Sequence, residues 1–373
     1  MAVPLSKQVC SILRKTVIGS EVPSRLGSLG GLLYGNIRSA STFKAAVLKE
    51  FHKPLEIETI TAPKKIKKDE IRVKVVNCAV NASDIMICDG EHELSPKLPF
   101  TPGFEIAGEI LESGSDAAAE GFNVGDRIVG LNKDKHGGFA EQCVISMKDA
   151  WLAPSSVSYK KCVSLADSYA TALIGLARRA HLKEGDSVLI TAAAGGLGLA
   201  AVDIASHVYR AKVVGVCSTS DKSSLVREKG AWAALVFNPH DLEVTVKDVS
   251  KGKGMKVVFD AVGGDVFTAS LKTVAHEGTV IVAGFASRQV PQLLLSELLQ
   301  GSYSILGVSL SYYRLNDPEV YRDTVQDVLD MCEQGLISPH ISQDFDLDKV
   351  NEAMEYMRAR KSSGKVIINI CDS

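Results

Sequence analysis

The chain has 373 residues, 46% of them apolar and 23% charged, with 42 Lys and Arg against 44 Asp and Glu. That length suits two domains, each with a core of its own. A formal net charge of −2 offers no footing for nucleic acid or an anionic membrane, and no stretch approaches the roughly 20 apolar residues of a membrane helix.

The first forty residues stand apart. They hold Lys7, Arg14, Lys15, Arg25 and Arg38 against the single acid Glu21, with serines and glycines between them. Basic, serine-bearing and acid-poor is the composition of a mitochondrial transit peptide; a disordered tail is the plainer alternative. The expectation is a targeting segment over residues 1–40 and a matrix location. Without its five bases and one acid, the remainder carries 37 basic and 43 acidic residues, a net of −6. The eight cysteines are scattered, with no C-x-x-C pair, which disfavours a metal lobe or a disulfide framework and favours free thiols.

From Thr42 the pattern is β-like. Short β-branched runs at Lys44–Leu48, Glu56–Ile60, Ile71–Asn77, Ile106–Glu112, Arg127–Gly130 and Gln142–Ile145 predict strands. The Gly and Pro between them predict a compact, turn-rich β domain. Tyr169–Ala180 then reads as a helix. Beyond it, apolar strands at Ser187–Ala192, Lys212–Cys217, Leu235–Phe237, Lys256–Asp260, Thr279–Ala283 and Ser304–Val308 alternate with helices at Leu197–Val208, Lys222–Lys229, Leu242–Val249 and Val266–Val274. Such alternation predicts an α/β fold, a doubly wound Rossmann domain with a parallel sheet covered on both faces. Pro318–Gln334 is helical, and Lys365–Ile370 is a last strand returning to the β domain.

The most informative segment is Ser187-Val-Leu-Ile-Thr-Ala-Ala-Ala-Gly-Gly-Leu-Gly198. A buried strand runs into a tight turn and a helix opens at once, the context in which a glycine cluster becomes a diphosphate cradle. Glycines there would permit unusual φ and close backbone approach. Ala194, Gly195, Gly196, Leu197 and Gly198 are therefore candidate cofactor contacts. The next strand ends Cys217-Ser-Thr-Ser-Asp-Lys222, without the acid that holds a ribose 2′-hydroxyl at its tip. Asp221 is expected to cap the following helix. Ser218 and Lys222 are placed for a 2′-phosphate, so the expected cofactor is NADPH.

Seven segments, in order, resemble the medium-chain dehydrogenase/reductase superfamily, and within it the zinc-free quinone oxidoreductase branch. They are Asn81-Ala-Ser-Asp84, Pro102-Gly-Phe-Glu-Ile-Ala-Gly108, Gly125-Asp-Arg-Ile-Val129, Gly137-Gly-Phe-Ala-Glu141, Ala192–Gly198, Asp260-Ala-Val-Gly-Gly264 and Gly364-Lys-Val-Ile367. The resemblance implies a GroES-like catalytic domain over residues 41–165, a Rossmann NADP-binding domain over 166–310 and a C-terminal return over 311–373, with the active site between the domains. It adds Gly263, Gly284 and Phe285 to the cofactor contacts.

Zinc relatives bind catalytic zinc through Cys, His and Cys. Here Asn81 and Phe104 stand at the first two positions and the Asp167-Ser168 region supplies no thiolate, so no metal is expected. Without a Lewis acid the chemistry favours activated acceptors, a quinone or an α,β-unsaturated carbonyl. Asn81 is placed to donate to such a carbonyl, while Asp84 either contacts substrate or braces the loop. The place of a tyrosine that donates a proton in enoyl-thioester reductases falls on His92, an imidazole capable of the same step, and Met86 replaces an aromatic of some relatives. Three readings stay open: an NADPH-dependent quinone or enone reductase, an enoyl-thioester or other alkene reductase, and an NADPH-binding sensor or structural protein with little turnover. The expected partners are a small-molecule substrate and a second copy of the chain, a homodimer through an edge strand near Ser302–Leu310.

Overall fold

The structure is a computed structural model that describes residues 42–92 and 95–372; the transit-peptide expectation for residues 1–40 lies outside the described residues. The chain opens with strands β1 (Thr42–Val47), β2 (Glu56–Thr61) and β3 (Glu70–Val80), then a short helix α1 (Ala82–Cys88), β4 (Glu105–Ser113), α2 (Ser115–Ala119), β5 (Arg127–Leu131), β6 (Gln142–Ser146) and β7 (Ala150–Leu152). β1 and β2 form an antiparallel pair, while β3, β4, β5, β6 and β7 build an antiparallel sheet. Inward residues Ile71, Val73, Ile106, Ile128 and Ile145 pack one core, the buried half of a period-2 pattern.

Helices α3 (Tyr159–Cys162) and α4 (Ser168–Leu173) lead into the second sheet, α4 continuing as a wider turn over Ile174–Arg179. There follow β8 (Ser187–Ile190), α5 (Gly196–Asp203), β9 (Lys212–Cys217), α6 (Ser220–Glu228), β10 (Ala233–Val236), α7 (Pro239–Val249), β11 (Met255–Asp260), α8 (Gly264–Leu271), β12 (Val274–Val282), α9 (Leu295–Gly301) and β13 (Ser304–Gly307). The six strands are all parallel, in the order β10-β9-β8-β11-β12-β13, the arrangement that places a dinucleotide at the carboxyl ends of the central strands. Val188 and Ile190 of β8 face one core and Leu189 the other; burial on both faces is why the sequence there reads as an unbroken apolar run.

The chain ends with α10 (Leu310–Asn316), α11 (Pro318–Glu333), β14 (Ile341–Asp346), α12 (Val350–Arg358) and β15 (Lys365–Asn369). β15 pairs antiparallel with β3 and parallel with β14, so the last strands complete the first sheet. Two expectations need correction. Helix α8 ends at Leu271 and Val274 already belongs to β12, so the expected helix Val266–Val274 is too long. β14 and α12 were not anticipated: β14 is a half-buried edge strand with Gln343, Asp344 and Asp346 along it, too polar to show a strand pattern. No helix among the described residues is long and apolar enough to cross a membrane. Cys78, Cys88, Cys143, Cys162, Cys217 and Cys332 are buried free thiols, acting as small core side chains.

Candidate active site

The glycine turn joins β8 to α5 as expected, and of the two expected reasons for its glycines, unusual φ and close backbone approach, only the second holds. None of Gly195, Gly196 and Gly198 has a positive φ; the left-handed residue is Ala192, at φ 45°. The glycines are required by proximity. A Cβ on Gly198 would lie 2.7 Å from the Ala193 Cα and closer still to the Ala192 carbonyl oxygen, whereas one on Gly196 would come no nearer than 3.1 Å, to the Lys365 Cδ, with Ser168 Oγ and the Gly364 carbonyl oxygen at 3.6 and 3.7 Å. Gly198 thus seats the helix against the strand, and Gly196 leaves an open edge. Gly195 is the N-cap of α5 with no side-chain cap, so the first-turn N–H groups and the positive helix end remain for an anion. Leu197 is half-buried beside them. Ala194 is buried and its carbonyl accepts a 2.8 Å bond from the Gly364 N–H, fixing the turn to the start of β15.

The ends of the neighbouring strands complete a nucleotide-sized rim. Ser218 is exposed. The cap of α6 is Thr219, whose hydroxyl accepts from the Lys222 N–H; Asp221 lies in the first turn and is not the cap. The Lys222 ammonium donates to the Arg360 carbonyl at 2.7 Å, and partial burial together with the Arg360 charge lowers its pKa. At the tips of β11 and β12, Gly263 has φ 75°, and a Cβ there would meet the Gln289 carbonyl at 2.6 Å and the Phe285 ring at 3.0 Å. Gly284 lies beside Ala261, and Phe285 is exposed.

Asn81 and Asp84 meet at the start of α1, where the Asp84 carboxylate accepts from the Asn81 N–H at 2.8 Å. Asp84 is fully buried and its other oxygen has no hydrogen-bond partner; burial pushes its carboxyl up to about 7. Asp84 therefore braces the loop. The Asn81 amide is also committed: its Nδ2 donates to Glu105 Oε2 at 2.9 Å, and its Oδ1 accepts from Lys365 Nζ at 2.6 Å. Lys365 Nζ donates in addition to Glu105 Oε2 at 2.6 Å and Ser168 Oγ at 3.3 Å. Its side chain is 5% exposed and that of Glu105 0%, so the pair is an almost dry ion pair made viable by its extra hydrogen bonds. The other Glu105 oxygen accepts from the Asp167 N–H at 2.9 Å, and Asp167 in turn accepts from Lys133 Nζ at 2.6 Å.

His92 stands in the loop after α1, within electrostatic reach of His136. The His136 ring lies against Phe100 and Phe104, at centroid distances of 6.2 and 6.5 Å, and burial holds its pKa down to about 4. Sequence reasoning missed Lys133, His136, Arg360 and Lys365 as site residues. Lys365 sat inside the noted Gly364–Ile367 motif, but nothing in the sequence joins it to a residue 284 positions away.

A GroES-like sheet beside a six-stranded dinucleotide-binding sheet, with polar side chains gathered where they meet, is the architecture of the medium-chain dehydrogenases and reductases. The family model for the alcohol dehydrogenase GroES-like domain matches residues 67–155, and that for zinc-binding dehydrogenases residues 230–368. The quinone oxidoreductase-like protein 2 homolog of Nematostella vectensis is 41% identical over 329 residues, 88% of this chain and 89% of that protein; its Mus musculus counterpart is 37% identical, covering 88% and 92%. The Escherichia coli quinone oxidoreductase solved with NADPH superposes with a TM-score of 0.78 at 25% identity, over 88% of this chain and 99% of that one. A mycobacterial protein, also complexed with NADPH, gives 0.79 at 27%, over the same shares. The chain belongs to the medium-chain dehydrogenase/reductase superfamily, in the group of quinone oxidoreductase-like protein 2.

Proposed function

We propose that the protein is an NADPH-dependent, zinc-independent reductase of quinones or α,β-unsaturated carbonyls. The observation that carries this reading is the Lys365 ammonium seated among Asn81 Oδ1, Glu105 Oε2 and Ser168 Oγ. Asn81 and Ser168 stand where zinc relatives place two ligands, and Phe104 where they place a third. With Glu105 as the one carboxylate, already paired with the resident ammonium, an amide, a hydroxyl and a phenyl ring do not complete the set of thiolate, imidazole or carboxylate ligands a zinc ion needs. An acceptor that is already electron-poor needs only hydrogen bonds to its oxygen.

The chain fits a nicotinamide dinucleotide. The uncapped first turn of α5 would take the diphosphate, and the edge that a Cβ on Gly196 would fill gives it close approach. Lys222 and Arg360, like charges close enough to depress the Lys222 pKa, would share a 2′-phosphate with Ser218, which favours NADPH over NADH. Gly263, Gly284 and Phe285 would border the nicotinamide half. A bound reduced nicotinamide supplies hydride. The protein binds and orients it, and holds the acceptor's oxygen where charge develops. The GroES-like and dinucleotide-binding domains would close over the site between them.

Similarity to the quinone oxidoreductase-like proteins and to two NADPH complexes supports this reading. Steady-state oxidation of NADPH against a panel of quinones and enones, run beside elemental analysis of the purified protein, tests it. Turnover with at least one acceptor and no stoichiometric zinc is expected; one zinc per chain, or turnover confined to simple alcohols, overturns it. We propose in addition a homodimer through β13. This strand forms one edge of the parallel sheet, and Leu294, Leu295 and Leu299 beside it are exposed. A monomer in analytical ultracentrifugation at micromolar concentration refutes this assembly.

A further inference from the structure

Lys133 follows β5, and its ammonium meets three elements at one point. Nζ donates to Asp167 Oδ1 at 2.6 Å and to Ser311 Oγ at 3.3 Å, and it sits 5.0 Å from the centroid of the Phe104 ring. Phe104 precedes β4, Asp167 precedes α4, and Ser311 lies in α10, just past the carboxyl end of β13. The carboxyl ends of a doubly wound sheet are where the ligand lies. An ammonium has three N–H donors, and no hydrogen bond of the third is recorded within the described residues.

A purely mechanical clasp between these elements is already present one residue away. Arg314 of α10 grips Asp134 with bonds of 2.8 and 2.5 Å and Asp149 with bonds of 2.6 and 2.7 Å. Lys133 is different from that clasp. Its side chain keeps 19% exposure, and Asp167 beside it keeps 23%, so the pair borders open space. The bond that the ammonium donates to Asp167 fixes the head, and the ring face beneath adds cation–π attraction. The result is a preoriented cation with a spare donor, whereas the Asn81 amide is held by Glu105 at its nitrogen and by Lys365 at its oxygen.

We propose that Lys133 is the group that receives the acceptor's oxygen, and that it selects acceptors whose oxygen becomes anionic on reduction. This rests on the reductase reading above. With an enone, a C–H bond of the reduced cofactor breaks with its electron pair and a C–H bond forms at the acceptor's β-carbon. The displaced π electrons settle on the acceptor oxygen, where the Lys133 N–H donates to them. Water then protonates the α-carbon, and the hydroxide released takes a proton from the medium. A quinone ends as the hydroquinone by the same count, one hydride and one proton. Charge-assisted donation of this kind, from a preorganised donor, is worth on the order of 10²-fold in rate.

The test pairs a binding readout with turnover. 4-Nitrophenolate, an aryl oxyanion, is titrated by absorbance into the NADP⁺-saturated protein. The wild type is expected to bind it, Lys133→Arg to keep binding within a few-fold, and Lys133→Met to weaken it at least tenfold with NADPH affinity unchanged. Quinone kcat/KM should fall about 10²-fold in Lys133→Met. Because Lys133→Met leaves Asp167 unpaired, the double variant Lys133→Met/Asp167→Asn removes both charges and must show the same phenolate loss in a folded protein. Phenolate binding that survives both variants overturns the proposal, as does a wild type that binds no phenolate. A wild type that binds phenolate through Lys133 but reduces no quinone or enone upholds the oxyanion site and sinks the reductase reading instead.

Discussion

Replacing Gly198 by alanine perturbs the seat of the glycine turn, and the structure sets the size of the effect. The added Cβ would stand 2.7 Å from the Ala193 Cα and 2.8 Å from the Ala192 carbonyl carbon, against an ordinary contact of 3.4 Å or more. These neighbours are backbone, and the Ala192 carbonyl oxygen is nearer than either, so helix α5 must back away by more than the roughly 0.7 Å that the Ala193 contact alone requires, or the strand end must shift. Overpacking of this kind costs about 1–3 kcal/mol, and each kcal/mol lowers Tm by roughly 2–4 °C in domains of this size. The same displacement moves the first-turn N–H groups off the diphosphate. Each charge-assisted bond lost is worth about 1.5–3 kcal/mol, a ten- to hundredfold loss of affinity. Gly196→Ala is the contrast, since the tightest contact of its Cβ is the flexible Lys365 stem at 3.1 Å and the others are ordinary. Differential scanning fluorimetry with and without saturating NADPH separates the two. Gly198→Ala should lower the apo Tm by several degrees and shrink the NADPH-induced shift; Gly196→Ala should shrink the shift with little change in apo Tm. An unchanged apo Tm in Gly198→Ala refutes the backbone-clash argument, and an undiminished shift in both variants refutes the cradle.

Lys222→Ala and Arg360→Ala should each weaken NADPH by about tenfold or more and leave NADH nearly unaffected; isothermal titration with both cofactors checks this, and a parallel loss of NADH affinity would remove the case for a 2′-phosphate site. Asp84, raised to about 7 by burial, keeps a proton in the folded state that the unfolded chain releases near 3.9. Its stabilising contribution is therefore complete below about pH 4 and is lost as pH rises to about 7. Asp84→Asn, which retains an acceptor for the Asn81 N–H, should flatten that fall in urea midpoints between pH 5 and 8, and an equally steep fall in the variant contradicts the assignment. His136, held near 4, acts in the opposite sense and loses stability as pH falls from 6.5 towards 4, so the comparison is read as wild type minus variant. A fluorescent reporter fused to residues 1–45 is expected in the mitochondrial matrix, and a uniform cytosolic signal refutes the leader.

The local pattern alone determined the two-sheet α/β architecture, the six parallel strands and the turn from Ala192 to Gly198. Each is written in adjacent residues: a strand buried on both faces must be apolar throughout, and a helix opening directly off a strand needs glycines. Of the two reasons the sequence offers for the glycines, a positive φ and a close backbone approach, both call for the same residue; only the packing of Gly198 on Ala192 and Ala193 shows that the second applies. β14 escaped notice because an edge strand exposes one side and carries polar residues there. The roles within the cleft needed the tertiary structure most. Asn81 looks like a free donor in sequence, yet in the fold Glu105 and Lys365 occupy both ends of its amide. Lys133 and Arg360 read as ordinary surface cations until β5, α10 and the loop after α12 carry them to the cleft. Hydrogen bonds are directional and saturable, so which donor remains available is fixed by neighbours hundreds of residues apart, and local periodicity carries no record of them.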